Sequence, residues 1–349
     1  MRRIACALLV VAACGGSGPS AYAKHFAAAE RAETAGRHQE AAEAFDAASR
    51  DPATKREQEH AAFLAALELV RAGDVAGGAK RLEAIASSKG EHAAQARWAL
   101  VRMDIATNQP NVIRELDAYV RTYPNDGLAY PALEARIRIA RDAGGEAEVL
   151  NVLRALEPAI ATTDSAPRVA FEIGESLAKQ KKLDEARAQF VAIAAKFPYP
   201  GEYFDDALWR ASEIDEEQGR IPDAIADLEK MLAVIEYSTL PGTYIRPRFP
   251  DAQWRIAVLY RDKIGDKTKA IAAFDRYIDL FSNATRKDEA LWQEAKLVDD
   301  AGASCRLLAK LVKTSPDSRY VPCAMSRCTK IERPKDSHAP KTCHAYITR

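Results

Sequence analysis

What this sequence lacks narrows its chemistry. It has no surplus of charge: Lys+Arg is 50 and Asp+Glu is 50, so the formal net charge is +0 over 349 residues. Gripping nucleic acid by its phosphates calls for a basic excess or stripe, and nucleic acid is therefore not an expected partner. The polar/apolar alternation that marks strands is missing throughout. No G-x-S-x-G elbow, phosphate loop or H-E-x-x-H pattern occurs. His25, His38, His60 and His92 are scattered, with no metal-ligand partner one turn away. Carboxylate pairs such as Glu216-Glu217 and Asp299-Asp300 read as wet helix faces. Neither an enzyme nor a cofactor is expected. Cysteine is absent from Gly15 to Ser304, so any covalent staple belongs to the C-terminal end.

What is there is a pattern of short amphipathic pairs. Hydrophobic residues make up 48% of the chain. They recur at helical spacing and are broken by polar turns. The clearest pair runs from Pro167 to Pro198. Its first half carries Ala170, Ile173, Gly174 and Leu177. Its second half carries Ala186, Phe190 and Ile193, with a turn at Lys181-Lys182 between them. Small residues at Gly174 and Ala186 let two helices approach, and Phe190 fills the angle they make. This spacing resembles the tetratricopeptide repeat, which has a period of about 34 residues. Similar turns fall at Gly36, Gly73, Asn108-Gln109-Pro110, Gly144-Gly145, Gly219 and Gly265. The units 93–124 and 128–158 depart from the pattern, the latter with Leu153 in the aromatic position. A polar break, Ala161 to Ala166, divides an array over 22–166 from one over 167–316. The resemblance implies an all-α, tetratricopeptide-like solenoid of helical hairpins, a right-handed superhelix of about eight units. Trp98, Trp209, Trp254 and Trp292 recur on first helices, where the resemblance assigns them to core packing.

The N-terminal residues read as an export signal. Arg2 and Arg3 precede an apolar run, Ile4 to Ala13, that is too short to cross a bilayer. Val11-Ala12-Ala13-Cys14 resembles a lipobox, with 1–13 as the leader, Cys14 as the lipidated residue and 14–21 as a flexible tether. Ala21-Tyr22-Ala23 offers the alternative of ordinary cleavage and a soluble periplasmic product. Gly15 after Cys14, rather than aspartate, points by resemblance to the periplasmic face of the outer membrane, with membrane contact through the lipid alone.

Two further stretches carry candidate sites. Between Gly219 and Gly265 the spacing exceeds one period, and the excess falls in 236–250, EYSTLPGTYIRPRFP. Its prolines forbid a continuous helix. Tyr237, Tyr244, Arg246, Arg248 and Phe249, with Tyr203 one repeat earlier, are residue types that dominate binding hot spots, and they form the expected partner-binding set. At the C-terminus, 317–349 is expected to cap the array with a helix, Arg319 to Lys330, and an irregular tail. Cys305, Cys323, Cys328 and Cys343 allow three pairings. Antiparallel helices joined near Pro316 set Cys305 level with Cys328, which leaves Cys323–Cys343 for the tail. A zinc site using Cys323, Cys328, Cys343 and His338 or His344 is the alternative, although its spacing fits no standard module.

Exported, lipidated and built of tetratricopeptide-like units, the chain is similar in type to the repeat lipoproteins of outer-membrane assembly and of the Tol–Pal system. That likeness implies a non-catalytic scaffold binding other envelope proteins in a Gram-negative bacterium. The alternative is a soluble periplasmic accessory that binds peptide or the substrates of cell-wall or export machinery. Protein exported by cells and purified without reductant should resist thiol alkylation at Cys305, Cys323, Cys328 and Cys343. Modifiable thiols at these positions, read by mass spectrometry, would defeat the disulfide expectation.

Overall fold

A computed structural model describes residues 20–234, 248–281 and 285–348. Among them every regular element is helical. In chain order these are α1 (Ala21–Thr34), α2 (His38–Arg50), α3 (Lys55–Arg71), α4 (Val75–Ala86), α5 (Ala93–Ala106), α6 (Val112–Thr122) and α7 (Ala129–Ile160). There follow α8 (Ala166–Lys179), α9 (Leu183–Lys196), α10 (Phe204–Glu217), α11 (Ile221–Leu232), α12 (Arg248–Leu259), α13 (Lys267–Leu280), α14 (Lys287–Leu297), α15 (Ala301–Thr314), α16 (Val321–Arg327) and α17 (Ala345–Thr348). A π-helical turn, Tyr260–Ile264, extends α12.

The helices form two compact units. One comprises the described residues through Ala143 together with Pro158–Thr163; the other comprises Gly144–Glu157 and Asp164 onward. In the first, α1 to α6 each pack on the next; in the second, α8 to α15 do the same. This is the expected stack of helical hairpins, in which a helix pair buries its apolar stripe only against its neighbours. The turns share one device. Gly36, Gly73, Gly219 and Gly265 have φ of 71°, 99°, 75° and 76°, and Asn108 and Lys181 take the same left-handed position at 50° and 61°. A residue there turns the chain back after one helix, at least cost when it has no Cβ. α7 is broken by the same means, because Gly144 and Gly145 leave helical geometry.

Within a hairpin the interlock is a small residue against a ring. Phe190 on α9 is fully buried, and a methyl group built on Gly174 of α8 would stand 2.7 Å from its Cε1. The broken α7 is tied to the same unit, since Ser176 Oγ donates to the Glu146 carbonyl at 2.8 Å and Gln180 Nε2 donates to it at 3.0 Å. The larger core of the second unit runs from Phe204 and Leu208 through Leu228, Phe249, Phe274 and Trp292 to Leu308 and Val321.

The C-terminal end carries two disulfides, Cys305–Cys328 and Cys323–Cys343, with Cα atoms 5.8 Å and 4.6 Å apart. These are the pairings expected from the sequence, and they leave none of the four cysteines as a thiolate for the alternative zinc site. The capping helix is shorter than its sequence pattern predicts, Val321–Arg327 rather than 319–330. The backbone leaves helical geometry at Cys328, the C-cap, where φ is −131° and ψ is 94°. The insertion also differs: Arg248, Phe249 and Pro250 already belong to α12. A proline in a first helical turn lacks only an N–H that would be orphaned anyway.

Gly174→Ala should lower stability by roughly 1–3 kcal/mol, since the new methyl group must displace a ring that has no free space. Chemical denaturation of the variant beside the parent checks this, and equal midpoints would refute the interlock.

Candidate protein-binding groove

The second unit presents a groove along its first helices. α10 supplies Trp209, and α12 supplies Asp251, Trp254, Arg255 and Val258. Arg286, which caps α14, closes the far side. The α12 residues fall at i, i+3, i+4 and i+7, which is one face of a helix. The groove is open, with a volume of about 350 Å³.

Its tryptophans pack against the core without being enclosed by it, so the sequence expectation of core packing holds for them only in part. Trp292 is, at 2% exposure, stacked on Tyr320 at 5.6 Å. Trp209 and Trp254 are only half-buried. Trp254 roots its indole edge-to-face on Phe274 and Tyr277, at 5.3 and 5.5 Å, and carries the Arg286 guanidinium 5.3 Å from its ring centre. Trp209 lies under two guanidiniums, Arg255 at 4.7 Å and Arg248 at 5.4 Å. Its Nε1 donates to Glu213 Oε1 at 2.8 Å, which fixes the ring on its own helix. Cation–π contacts of this kind contribute roughly 0.5–2 kcal/mol each. They also change what the groove shows. Flat guanidiniums cover the indole faces, so their N–H edges rather than bare aromatic rings are on offer.

The arginines differ in what holds them. Arg248 Nε donates to Asp206 Oδ1 at 2.5 Å. Arg255 donates to Glu216, and its Nη1 lies 3.5 Å from Glu213 Oε1. Arg286 and Asp251 are exposed, and neither has an opposite charge within 4 Å among the described residues. Burial pushes the Tyr277 hydroxyl up, and the Arg286 charge pulls the other way. The groove thus has one donor-rich cation, one free carboxylate and an apolar floor at Val258 and Trp254. It can take an extended segment or a helix bearing acceptors and an apolar side chain. Among the described residues no cluster of three His, Cys, Asp or Glu could hold a metal ion.

The sequence-predicted set divides in three. Arg248 lies over the groove residue Trp209 without itself lining the groove. Phe249 does not: at 2% exposure it packs in the core, because the first turn of α12 rotates it inward. Tyr203 is half-buried, with its ring 4.9 Å from Phe171 of α8 and φ at 65°. It stays outside the groove lining. Tyr237, Tyr244, Arg246 and Cys14 lie outside the described residues. Asp251, Trp254, Arg255 and Arg286 were missed as a group. The i, i+3, i+4, i+7 spacing of the α12 residues was the available signal, but spacing alone does not say which face stays wet.

Another acid answers to burial, away from the groove. Glu294 on α14 is 4% exposed, and its Oε2 has no hydrogen-bond partner among the described residues. Burial first, then the charge of Asp275, pushes its carboxyl up to about 7.

Residues 153–201 and 251–284 each match a family profile described as tetratricopeptide repeat. No curated protein sequence matches. Among solved structures, the chain is similar to the C-terminal part of a tetratricopeptide-repeat protein from Cytophaga hutchinsonii, at 17% identity and a TM-score of 0.44, over 76% of this chain and 99% of that one. A tetratricopeptide repeat protein from Parabacteroides merdae matches at 16% identity and a TM-score of 0.38, over 58% and 75%. The apo form of RapI matches at 9% and 0.42, over 84% and 87%.

Because Glu294 binds its proton more tightly folded than unfolded, stability from this group is full below about 4.5 and lost as pH rises through about 7. Glu294→Gln should remove that slope and raise stability at pH 8 by on the order of 1–3 kcal/mol. Melting curves across pH test it, and an unchanged pH profile in the variant would refute it.

Proposed function

We propose that this tetratricopeptide-repeat chain is a non-catalytic scaffold of the bacterial envelope, anchored to the periplasmic face of the outer membrane by a lipid on Cys14, and that it holds a partner protein in the Trp209–Trp254 groove. Helical-hairpin repeats are a protein-binding architecture, with long surfaces on which peptides or helices lie. The observation that carries the reading is the pair of half-buried tryptophans beneath guanidiniums, with Arg286 and Asp251 unspent at the rim. Trp and Arg are the residue types that concentrate binding energy when water is excluded around them. The address draws on Arg2, Arg3 and the Val11–Cys14 stretch, and the two disulfides suit an oxidising compartment.

The mechanism follows from the groove. A partner acceptor, carboxylate or carbonyl, meets the N–H edge of Arg286. A partner cation meets Asp251. An apolar side chain lands on Val258 and the open edge of Trp254. Steering and register come from the two rim charges, and residence time comes from the apolar contact.

Arg286→Glu combined with Asp251→Arg changes two exposed positions, so the fold should persist, with stability lowered by no more than the one cation–π contact to Trp254, roughly 0.5–2 kcal/mol. Crosslinking in intact cells should then capture the partner about tenfold less well, the equivalent of about 1.4 kcal/mol. Undiminished capture would sink the groove. The address has its own test: Cys14→Ser should lose lipid label and leave the membrane fraction.

A further inference from the structure

A second cavity lies on the other side of α12. The groove residues 251, 254, 255 and 258 share one face of that helix. Gln253, Ile256 and Tyr260, about 180° around it at 100° per residue, share the opposite one. Glu229 of α11 and Lys269 and Arg276 of α13 complete a cavity of about 210 Å³, with Ala272 and Ala273 in its wall. Tyr260 reaches it from the start of the π-helical turn, a feature often found where a helix is shaped for a ligand.

Gln253 makes this a built site. It is 2% exposed, and its Nε2 donates to the Ala273 carbonyl at 2.9 Å. That bond fixes which way the amide points, since the reversed amide would set two oxygens against each other. Its Oε1 is then left buried with no hydrogen-bond partner among the described residues. A buried acceptor in that state needs an N–H or O–H donor. Around it the charges are sorted rather than paired. Glu229 and Arg276 have no opposite charge within 4 Å among the described residues, and Lys269, whose Nζ lies 5.4 Å from the Tyr260 ring centre, has only the exposed-side contact to Asp266 at 3.8 Å. The cavity therefore asks for a donor group at Gln253 and Glu229, an acceptor group at Lys269 and Arg276, and a short apolar body against Ile256 and the alanines.

We propose that this cavity binds a small zwitterion of the α-amino-acid class, with its ammonium between the Gln253 carbonyl and the Glu229 carboxylate and its carboxylate on Lys269 and Arg276. A lone anion leaves Gln253 unsatisfied and meets Glu229. A lone cation meets Lys269 and Arg276. Only a ligand carrying both charges a few bonds apart satisfies all four groups. The site is independent of the protein-binding groove, since none of its residues lines that groove.

Calorimetric titration of the disulfide-intact protein with each of the standard L-amino acids at millimolar concentration tests this. At least one should bind, and its N-acetyl and amide derivatives should each bind about tenfold more weakly or worse. Glu229→Gln and Arg276→Gln lie at exposed positions and should weaken binding to the same extent at an unchanged melting temperature. Gln253→Leu should abolish binding. Three results would overturn the proposal: no heat from any amino acid, binding that the Glu229 and Arg276 variants leave unchanged, or a crystal grown with saturating amino acid that shows only a water on Gln253 Oε1.

Discussion

The close approach of two helices in one hairpin is the constraint on which the rest depends. Two helix axes approach most closely where the side chains at the contact are small and a large neighbour fills the remaining angle. At Gly174 and Phe190 that complement is visible atom by atom, since even a single methyl group would collide with the ring. Ala29 and Phe45 in the first unit share one buried cluster, and Ala257 and Phe274 in the second share another, again small residues beside a large ring. Once each pair is locked, it has one apolar stripe left, and only the next pair can cover it. Hairpin geometry thus dictates the array, and the array dictates that first helices stand beside first helices.

That side-by-side placement explains where the charges go. Arg71 reaches back to Glu33, Arg210 to Glu175, Arg248 to Asp206 and Arg255 to Glu216. Each pair joins a first helix to the first helix before it, about one repeat earlier. Half-exposed ion pairs contribute little individually, with a median of about 0–1 kcal/mol. Their consequence is geometric: they spend the cations on the chain itself, and Arg248 and Arg255 lie over Trp209. Arg286, coming after the last tryptophan that lines the groove, has no such acid among the described residues, and so the groove keeps a cation to offer. Binding capacity here is what remains after the repeats have satisfied one another.

Much of this was legible in the residues. Gly36, Gly73, Gly219 and Gly265 marked hairpin turns because only a residue without Cβ enters the left-handed region cheaply, and each does enter it. Phe190 and Gly174 announced their contact by spacing. The cysteine pairs followed from two antiparallel helices, since residues equally far from a turn lie level. Other features were not legible. Trp209, Trp254 and Trp292 occupy like positions in their units, yet of these only Trp292 is buried, with Tyr320 stacked on it, while the other two have arginines over their rings. Phe249 stood in a proline-rich stretch and read as exposed, but α12 begins one residue before it and turns it inward.

The division has a physical basis. Backbone preference and helical period are local properties, written within a few residues, so the chain alone determined the helices, their turns, their pairing into hairpins and the stapled end. Exposure belongs to the space between elements far apart in sequence. Whether a tryptophan is core or groove, whether an arginine is spent or free, and whether the Gln253 oxygen finds a donor depend on neighbours about a repeat away or on the other side of a helix. Only the packed structure decides those.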